Sequence, residues 1–513
     1  MNPFQSQPAG TPIAPSTSAR YYSRRQVFSR NPIEGTSFKP GVTANFNIDA
    51  SGGHYFVPQE SVITARFKVT NHAGGKLSKS VRFATNPVAN MFSAAALSIG
   101  GTTVESHAAN VADVSRLQLR MEQTKAGADG PGGAGLLSFN QKMNHEEASS
   151  ALLDTAAGGD DINTDGVITA LTDGGLVDTK AAIVDVFHTS DERNDKHELL
   201  LNNSSGDSVG DAKDLELSCP LSQIFTFCAQ NKSFIPNISA LIELTINADF
   251  RSDMFFSEQL RGVASNGAVQ TKVVTTLETI GAATQLDAKV TLPSYIPPVA
   301  AVDNTQLPIV TVDSLFIDAC FAVPTSVPRP PTSWQIPYQA MTIYTRNLTN
   351  TNNFTITMPG IPPSVSAIVM ALRSTKHGMH SNRELYQKGT LITKASLSIG
   401  QLTLPQPQYD LNFPDRRVGR LMQDFISFTG GSASNGVGAD NITEFCKSPL
   451  LAFRILQDPG SYASTAIVRL DTSANVGTDC ELVFACIHQK VFEAYWQDGE
   501  SFPSRVVVDD VLN

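Results

Sequence analysis

Leu97-Ser-Ile-Gly-Gly-Thr-Thr-Val104 and Leu397-Ser-Ile-Gly-Gln-Leu-Thr-Leu404 lie in opposite halves of the chain and open on the same four residues. Each reads as the end of a strand followed by a tight turn at glycine. Both then run into charged, helix-compatible sequence, Arg116-Leu-Gln-Leu-Arg-Met in the first half and Arg417-Val-Gly-Arg-Leu-Met in the second. The two stretches predict that one structural unit is used twice.

The elements around them follow the same order. In the first half, strand patterns cover Val42 to Ile48, Ser61 to Val69 and Met91 to Ile99. Asn110 to Gln123 spaces Val111, Val114, Leu117 and Met121 at helical intervals, with Asp113, Arg116, Arg120 and Glu122 off that face. A short helix is expected at Pro220 to Cys228, where proline is tolerated in the first turn. Strands follow at Ser239 to Ile246, Val269 to Ile280 and Val312 to Val323. In the second half, strands are expected at Tyr338 to Arg346, Asn353 to Met358, Val365 to Leu372 and Leu391 to Ile399, then a short helix at Ser448 to Leu456. Strands at Ser464 to Leu470 and Cys480 to Phe492 complete the series. Strand, strand, strand-turn, insertion, short helix, strand, strand therefore occurs twice, and two copies of one β-sandwich plan is the economical reading.

Residues 324–337 (PTSVPRPPTSWQIP) are expected to join the copies, because proline removes backbone donors and fixes φ. Residues 1–40 are rich in Pro, Ser and Gln and are expected to form an N-terminal arm without a core. The first unit is then 41–323, the second 338–495, and 496–513 a C-terminal tail.

At 513 residues the chain is too long for one core, and no run approaches the ~18 apolar residues of a membrane helix. Its charged fraction of 17% is below the ~25% of an average domain, which suits many short strands joined by turns. The N-terminus lacks the apolar core of a secretory signal, and the six cysteines contain no CxxC pair, so buried thiols in a reducing compartment are expected. Charge is uneven. Residues 123–215 hold 17 Asp+Glu and 6 Lys+Arg, a net of −11 (6 − 17) against −10 for the chain. The remainder is close to neutral, which argues against a nucleic-acid surface spread over the whole protein. This acidic, Gly-rich insertion is expected to protrude, with Ala181 to Phe187 its best strand.

The chain resembles the double jelly-roll major capsid proteins of the adenovirus-like and PRD1-like lineage of DNA viruses, most closely those of polinton-like viruses and virophages. The likeness spans about residues 40 to 495. It rests on the helix Pro220 to Cys228 leading into Ile235-Pro-Asn-Ile-Ser-Ala-Leu-Ile-Glu-Leu, on the strand Val312 to Val323, and on the linker into a new first strand at Tyr338. The insertion at 123–215 departs from it. The resemblance implies an all-β fold of two tandem eight-stranded jelly rolls with short bracing helices. It also implies a homotrimer forming a pseudo-hexagonal capsomer of an icosahedral virion assembled inside the host cell. Neighbouring capsomers, penton and minor capsid proteins would be partners, with no stable membrane insertion.

No catalytic spacing is found: there is no GxxxxGK[ST], GxSxG or HExxH, and His377-Gly-Met-His380 lacks further ligands. The chain is expected to be neither an enzyme nor dependent on a cofactor. Asp161-Ile-Asn163-Thr-Asp165-Gly166 places oxygens at positions one, three and five of a calcium loop, but position twelve is Thr172 and not a bidentate Glu. An Asx-turn-rich surface loop is the preferred reading, leaving Asp161, Asn163 and Asp165 as a weak metal candidate. Arg20, Arg24, Arg25 and Arg30 in the arm are candidates for weak phosphate contacts with a packaged genome, although a tie beneath neighbouring subunits is preferred.

Two rivals remain at this point. A single-jelly-roll capsid protein with a projecting domain would show different strand orders in its two halves. A carbohydrate-binding or carbohydrate-processing β-sandwich needs aromatic platforms or paired carboxylates, and the chain has only two tryptophans, Trp334 and Trp496.

Overall fold

The computed structural model describes residues 22–33, 38–49, 54–70, 81–122, 213–230, 235–236, 238–248, 250, 254–257, 279–280, 283–284, 309–324, 333–362, 364–375, 387–413, 415–429, 442–447, 449–455, 465–478, 480–497 and 503–510. In the first half the longer strands are β1 (Tyr22–Arg30), β2 (Thr43–Ile48), β3 (Val62–Thr70), β4 (Phe92–Ile99), β5 (Thr102–His107), β6 (Lys213–Pro220), β7 (Ala240–Ile246) and β8 (Ile309–Pro324). In the second they are β9 (Ser333–Asn347), β10 (Asn353–Pro359), β11 (Val365–Ser374), β12 (Ile392–Ile399), β13 (Leu402–Asp410), β14 (Leu451–Arg454), β15 (Thr465–Thr472) and β16 (Cys480–Tyr495). A further strand, β17 (Arg505–Asp510), closes the described chain.

The longer strands repeat one order, with two-residue strands at Tyr55–Phe56 and Ile235–Pro236 added to the first half's larger sheet. The first half pairs its strands as β1-β8-β3-β6 and β2-β7-β4-β5; the second pairs them as β9-β16-β11-β14 and β10-β15-β12-β13. Every pairing is antiparallel. Adding eight to each strand number converts one order into the other, so the chain holds two jelly rolls of one topology. A single roll with an unrelated projecting domain lacks this correspondence.

Period-two patterning explains why these segments are strands. In β7, Ala240, Ile242, Leu244 and Ile246 are buried while Leu241, Glu243 and Thr245 are less so; in β10, Phe354, Ile356 and Met358 are buried between exposed neighbours. The first nine residues of β16 are buried without alternation, as expected of a strand covered on both faces.

The two quoted motifs are the hairpins β4-β5 and β12-β13. Ile99 pairs with Thr102 and Ile399 with Leu402, leaving two-residue turns. Gly100 and Gly101 both have positive φ, the signature of a type I′ turn, whereas only Gly400 does so in the second, as in type II′. Even the cross-strand polar pair recurs: Ser98 Oγ and Thr103 Oγ1 lie 3.4 Å apart, and Ser398 Oγ and Thr403 Oγ1 3.1 Å.

Several expectations need correction. Residues 22–30 are not part of a coreless arm: β1 runs antiparallel to β8, from Tyr22 opposite Pro324 to Arg30 opposite Ile317. The linker is shorter than 324–337, since Pro324 ends β8 and Ser333 to Pro337 already belong to β9. Pro337 fits because β9 is an edge strand, where a missing N–H costs no ladder bond. The tail 496–513 contributes β17, which pairs with β16 from Lys490 to Tyr495. Pro220 ends β6, and the helix expected from it is a 3-10 turn, Leu221–Gln223, followed by a short α-helix at Thr226–Gln230. Within the stretch Ser448 to Leu456, expected as a helix, Leu451–Arg454 is strand β14, and the helix lies earlier, at Ile442–Lys447. A four-residue apolar run carries no periodicity that separates the two.

Of the acidic insertion, only its last residues, from Lys213, are described, within β6. Its neighbourhood is nevertheless fixed by register. Thr70 at the end of β3 faces Ile309 at the start of β8, and Val69 faces Lys213 at the start of β6. Thr70, Lys213 and Ile309, one strand end from each of three connections, therefore sit together at one end of the first sandwich. Strand candidates Ala181 to Phe187 and most of Val269 to Ile280 lie outside the described residues.

Candidate functional site at the seam between the two sandwiches

The helix α2 (Val111–Glu122), preceded in the chain by the short helix α1 (Pro87–Asn90), follows β5. Its sequence pattern suggests one apolar face and one solvated charged face. The structure differs: Asp113, Arg116 and Arg120 are buried along with Val111, Val114, Leu117 and Met121. The cause is a second partner. Val114, Leu117 and Met121 enter the core of the second sandwich beside residues such as Met341 and Leu372.

The exchange is reciprocal. Trp334, Ile336, Tyr338 and Ala340 from β9, and Phe492, Ala494 and Trp496 from the end of β16, belong to the core of the first sandwich. Phe227, in the helix α3 (Thr226–Gln230), meets Tyr338 edge-on at 5.0 Å and Phe492 at 5.8 Å. The Tyr338 hydroxyl donates to the carbonyl of Val104 at 2.7 Å. Thr102 Oγ1 donates to the Val506 carbonyl in β17 at 3.1 Å. Burying side chains of this size stabilises by about 1.5–3 kcal/mol each, so the sandwiches are welded and cannot slide as loosely linked domains do.

Two buried polar clusters lie at the seam, and the upper one ties the two sandwiches to each other. In the upper one, Arg373 of β11 donates both terminal nitrogens to Asp113 of α2, with Nη2 to Oδ2 at 2.9 Å, and its Nε to Glu481 Oε1 of β16 at 2.7 Å. Arg116 Nη1 reaches Asp113 Oδ1 at 3.3 Å and Nη2 reaches Asn90 Oδ1 at 3.2 Å. Two acids and two guanidiniums cancel, which is the condition for holding charge away from water. Asn86 sits beside them with left-handed φ of 51°, donating Nδ2 to Ser115 Oγ at 2.7 Å.

The lower cluster centres on Glu105 of β5. Its carboxylate accepts from Thr226 N at 3.0 Å, Thr226 Oγ1 at 2.7 Å and Phe227 N at 2.9 Å, and lies 2.9 Å from His107 Nε2. Burial alone would raise its pKa, but the His107, Phe227 and Thr226 contacts outweigh burial and hold it below the usual carboxylate range. Burial and the Glu105 charge push Tyr338 and the Cys228 thiol the other way, keeping both neutral. His488 on β16 is depressed to about 4, chiefly by burial and then by Lys490, against the attraction of Asp510 and Glu105.

This geometry holds surfaces together. Every carboxylate and guanidinium in the upper cluster is committed to another protein group. Among the described residues no group of three or more His, Cys, Asp or Glu is placed to hold a metal ion, and no helix is long and apolar enough to cross a membrane. All six cysteines are free thiols.

The residues singled out from sequence fall elsewhere. Arg20, the calcium candidates Asp161, Asn163 and Asp165, and the His377/His380 pair lie outside the described residues. Arg24 and Arg25 sit on β1 opposite Val323 and Ala322, and Arg30 is half-buried with its guanidinium 5.8 Å from the Phe28 ring centroid. They are thus strand residues of the first sandwich. Asp113, Arg116, Arg373, Glu481 and Glu105 escape a sequence reading. The one available signal is Arg373 itself, a charge closing the apolar run Val365 to Leu372.

No protein-family model matches the chain, and no curated protein matches it. Among solved structures it is similar to the mavirus major capsid protein in its crystal structure, at TM-score 0.50 and 12% identity, over 99% of this chain and 94% of that one. It is also similar to a chain of the Sputnik virophage structure determined by cryo-electron microscopy, at TM-score 0.52 and 9% identity, over 98% of this chain and 92% of that one. At such identity the likeness shows the fold, and it runs nearly end to end: two jelly rolls in tandem.

Proposed function

We propose that this chain is the major capsid protein of a non-enveloped DNA virus, a structural and non-catalytic protein that trimerises into pseudo-hexagonal capsomers and assembles into an icosahedral shell. The single observation that carries the reading is the repeated strand order, β1-β8-β3-β6 with β2-β7-β4-β5, matched by its counterpart plus eight. Two like rolls fused side by side give one chain two of the six corners of a hexagonal tile, so three copies complete it. The likeness to the mavirus major capsid protein, over nearly the whole of both chains, supports the same reading.

In this account the welded seam has a purpose. A shell subunit must resist bending between its two rolls, and buried paired charges fix one register where a purely apolar contact would tolerate several. The protein would reside in the virion, contacting itself, neighbouring capsomers, and penton and minor capsid proteins. The segment before β1 would tie subunits beneath the shell, with at most weak genome contact through residues such as Arg20. Lys213, where the acidic insertion enters β6, lies at the same end of the sandwich as Thr70 and Ile309, which begin and end two further connections, and this supports placing that end outward.

Sedimentation of the purified full-length chain tests the assembly, with a trimer as the expected species. Limited proteolysis of assembled particles tests the placement: cleavage within 123–212 is expected. Protection there, with cutting at the opposite end of the sandwich, would contradict it.

A further inference from the structure

The two larger sheets are closed differently at their lower edges. In each roll a 16-residue strand, β8 or β16, pairs along one edge with a long partner: β3 as far as Asp318, and β11 as far as His488. Beyond that point a shorter strand takes over the same edge. In the first roll it is Tyr55–Phe56, with Phe56 opposite Phe321 and Tyr55 opposite Ala322. In the second it is β17, with Val508 opposite Phe492 and Val507 opposite Glu493.

The two closures are not held equally. Tyr55 and Phe56 are 6% and 0% exposed, Phe56 belongs to the core of the first sandwich, and Ile235–Pro236 pairs on their far side. None of the six residues of β17 is buried, and its outer edge has no strand partner among the described residues. Val506 and Val508 are only partly covered against the first sandwich. Besides the ladder to β16, β17 has the Thr102 hydroxyl on the Val506 carbonyl and the seat of Val506 over Gly100. At its tip, Asp510 Oδ1 lies 3.6 Å from His488 Nδ1. Trp496, by contrast, is 5% exposed within the core, so the chain is anchored before it reaches the strand. An element with little buried apolar surface and an exposed ladder opens at a small fraction of the global unfolding free energy.

We infer that β17 is a detachable strap, which leaves the β16 edge and the Gly100 turn as a unit while both sandwiches and Trp496 stay folded. Its departure uncovers the lower end of the seam and bares the backbone edge of β16 from Lys490 to Tyr495. A bared edge of this kind accepts an extended segment, so the docked strap also guards it against stray pairing. The Arg373–Asp113 cluster and the bond from Tyr338 to the Val104 carbonyl lie outside the strap and join the sandwiches in both states. The strap is a property of the single chain and is independent of the proposed self-assembly.

Hydrogen exchange read by mass spectrometry on the purified full-length protein tests it, with the first roll as internal control. The amides of Arg505–Asp510 are expected to exchange at least about tenfold faster than those of Tyr55–Phe56 and of β16 from Cys480 to His488. Val508→Ala is expected to speed exchange in Arg505–Asp510 several-fold further and to leave β7 unchanged. Equal rates at Arg505–Asp510 and Tyr55–Phe56 in the wild type overturn the strap. So does a Val508→Ala variant in which exchange rises alike in β17 and throughout both sandwiches, because β17 then opens only with the whole fold.

Discussion

Arg373, in the second jelly roll, grips Asp113, in the first, with both of its terminal nitrogens, at a site where both side chains are almost wholly buried. The bond spans two domains, and Glu481 holds the same guanidinium from behind at 2.7 Å. Removing the cation would leave two carboxylates buried without it. Arg373→Ala is accordingly expected to cost about 3–5 kcal/mol in denaturant unfolding. Arg373→Lys should recover only part, because an ammonium cannot present the same fork. A loss below about 1 kcal/mol would show that the cluster does not fix the seam.

Acid should loosen the same region through His488. The unfolded chain takes up a proton near pH 6.5, which the folded chain refuses until about 4. Stability is therefore full above pH 6.5 and falls as the pH drops through that window, by on the order of 1–3 kcal/mol from this group. Glu105 adds to the loss in the carboxylate range, since its lowered pKa means that its contribution vanishes as the pH falls through the folded value. His488→Gln is expected to flatten the pH dependence of the melting temperature between 6.5 and 4. An unchanged slope would remove His488 from the account.

The turn glycines separate backbone strain from packing. Gly101, at φ of 81°, has open space where a Cβ would be, so Gly101→Ala should cost only the left-handed penalty of about 1–2 kcal/mol. Gly100, at φ of 59°, would place that atom 2.7 Å from Val506 Cγ2 in β17. Gly100→Ala should cost more and expose the C-terminal strand to protease, and Val506→Ala should relieve the excess. Equal losses at the two glycines would mean that β17 does not press on this turn.

Truncation distinguishes arm from strand. Deleting residues 1–21 should leave the melting temperature of the monomer unchanged, because the first described strand begins at Tyr22. Deleting 1–31 removes β1 and bares one edge of β8 from Ile317 to Pro324, so insoluble protein is expected. A soluble, cooperatively melting 32–513 fragment would contradict the assignment of β1 to the first roll.

The doubled plan is legible in the sequence because its strands alternate cleanly, as at Ala240–Ile246 and Asn353–Pro359, and because the Gly100 and Gly400 turns announce themselves. The seam is not legible. Asp113, Arg116 and Arg120 look like the wet face of an amphipathic helix until another domain supplies Arg373 and Glu481, and no local pattern encodes that meeting. β1 is hidden for a related reason: an edge strand rich in Ser and Arg lacks the apolar run that marks a central one. The Leu450–Ile455 run is ambiguous by length alone, and only its pairing with β11 makes it a strand.

Electron microscopy of the purified full-length protein tests the central claim most directly. The account predicts particles built from three chains with a near-hexagonal outline, each chain supplying two adjacent lobes of like size. Single two-lobed chains that persist at high concentration, or rings with another number of subunits, would contradict it.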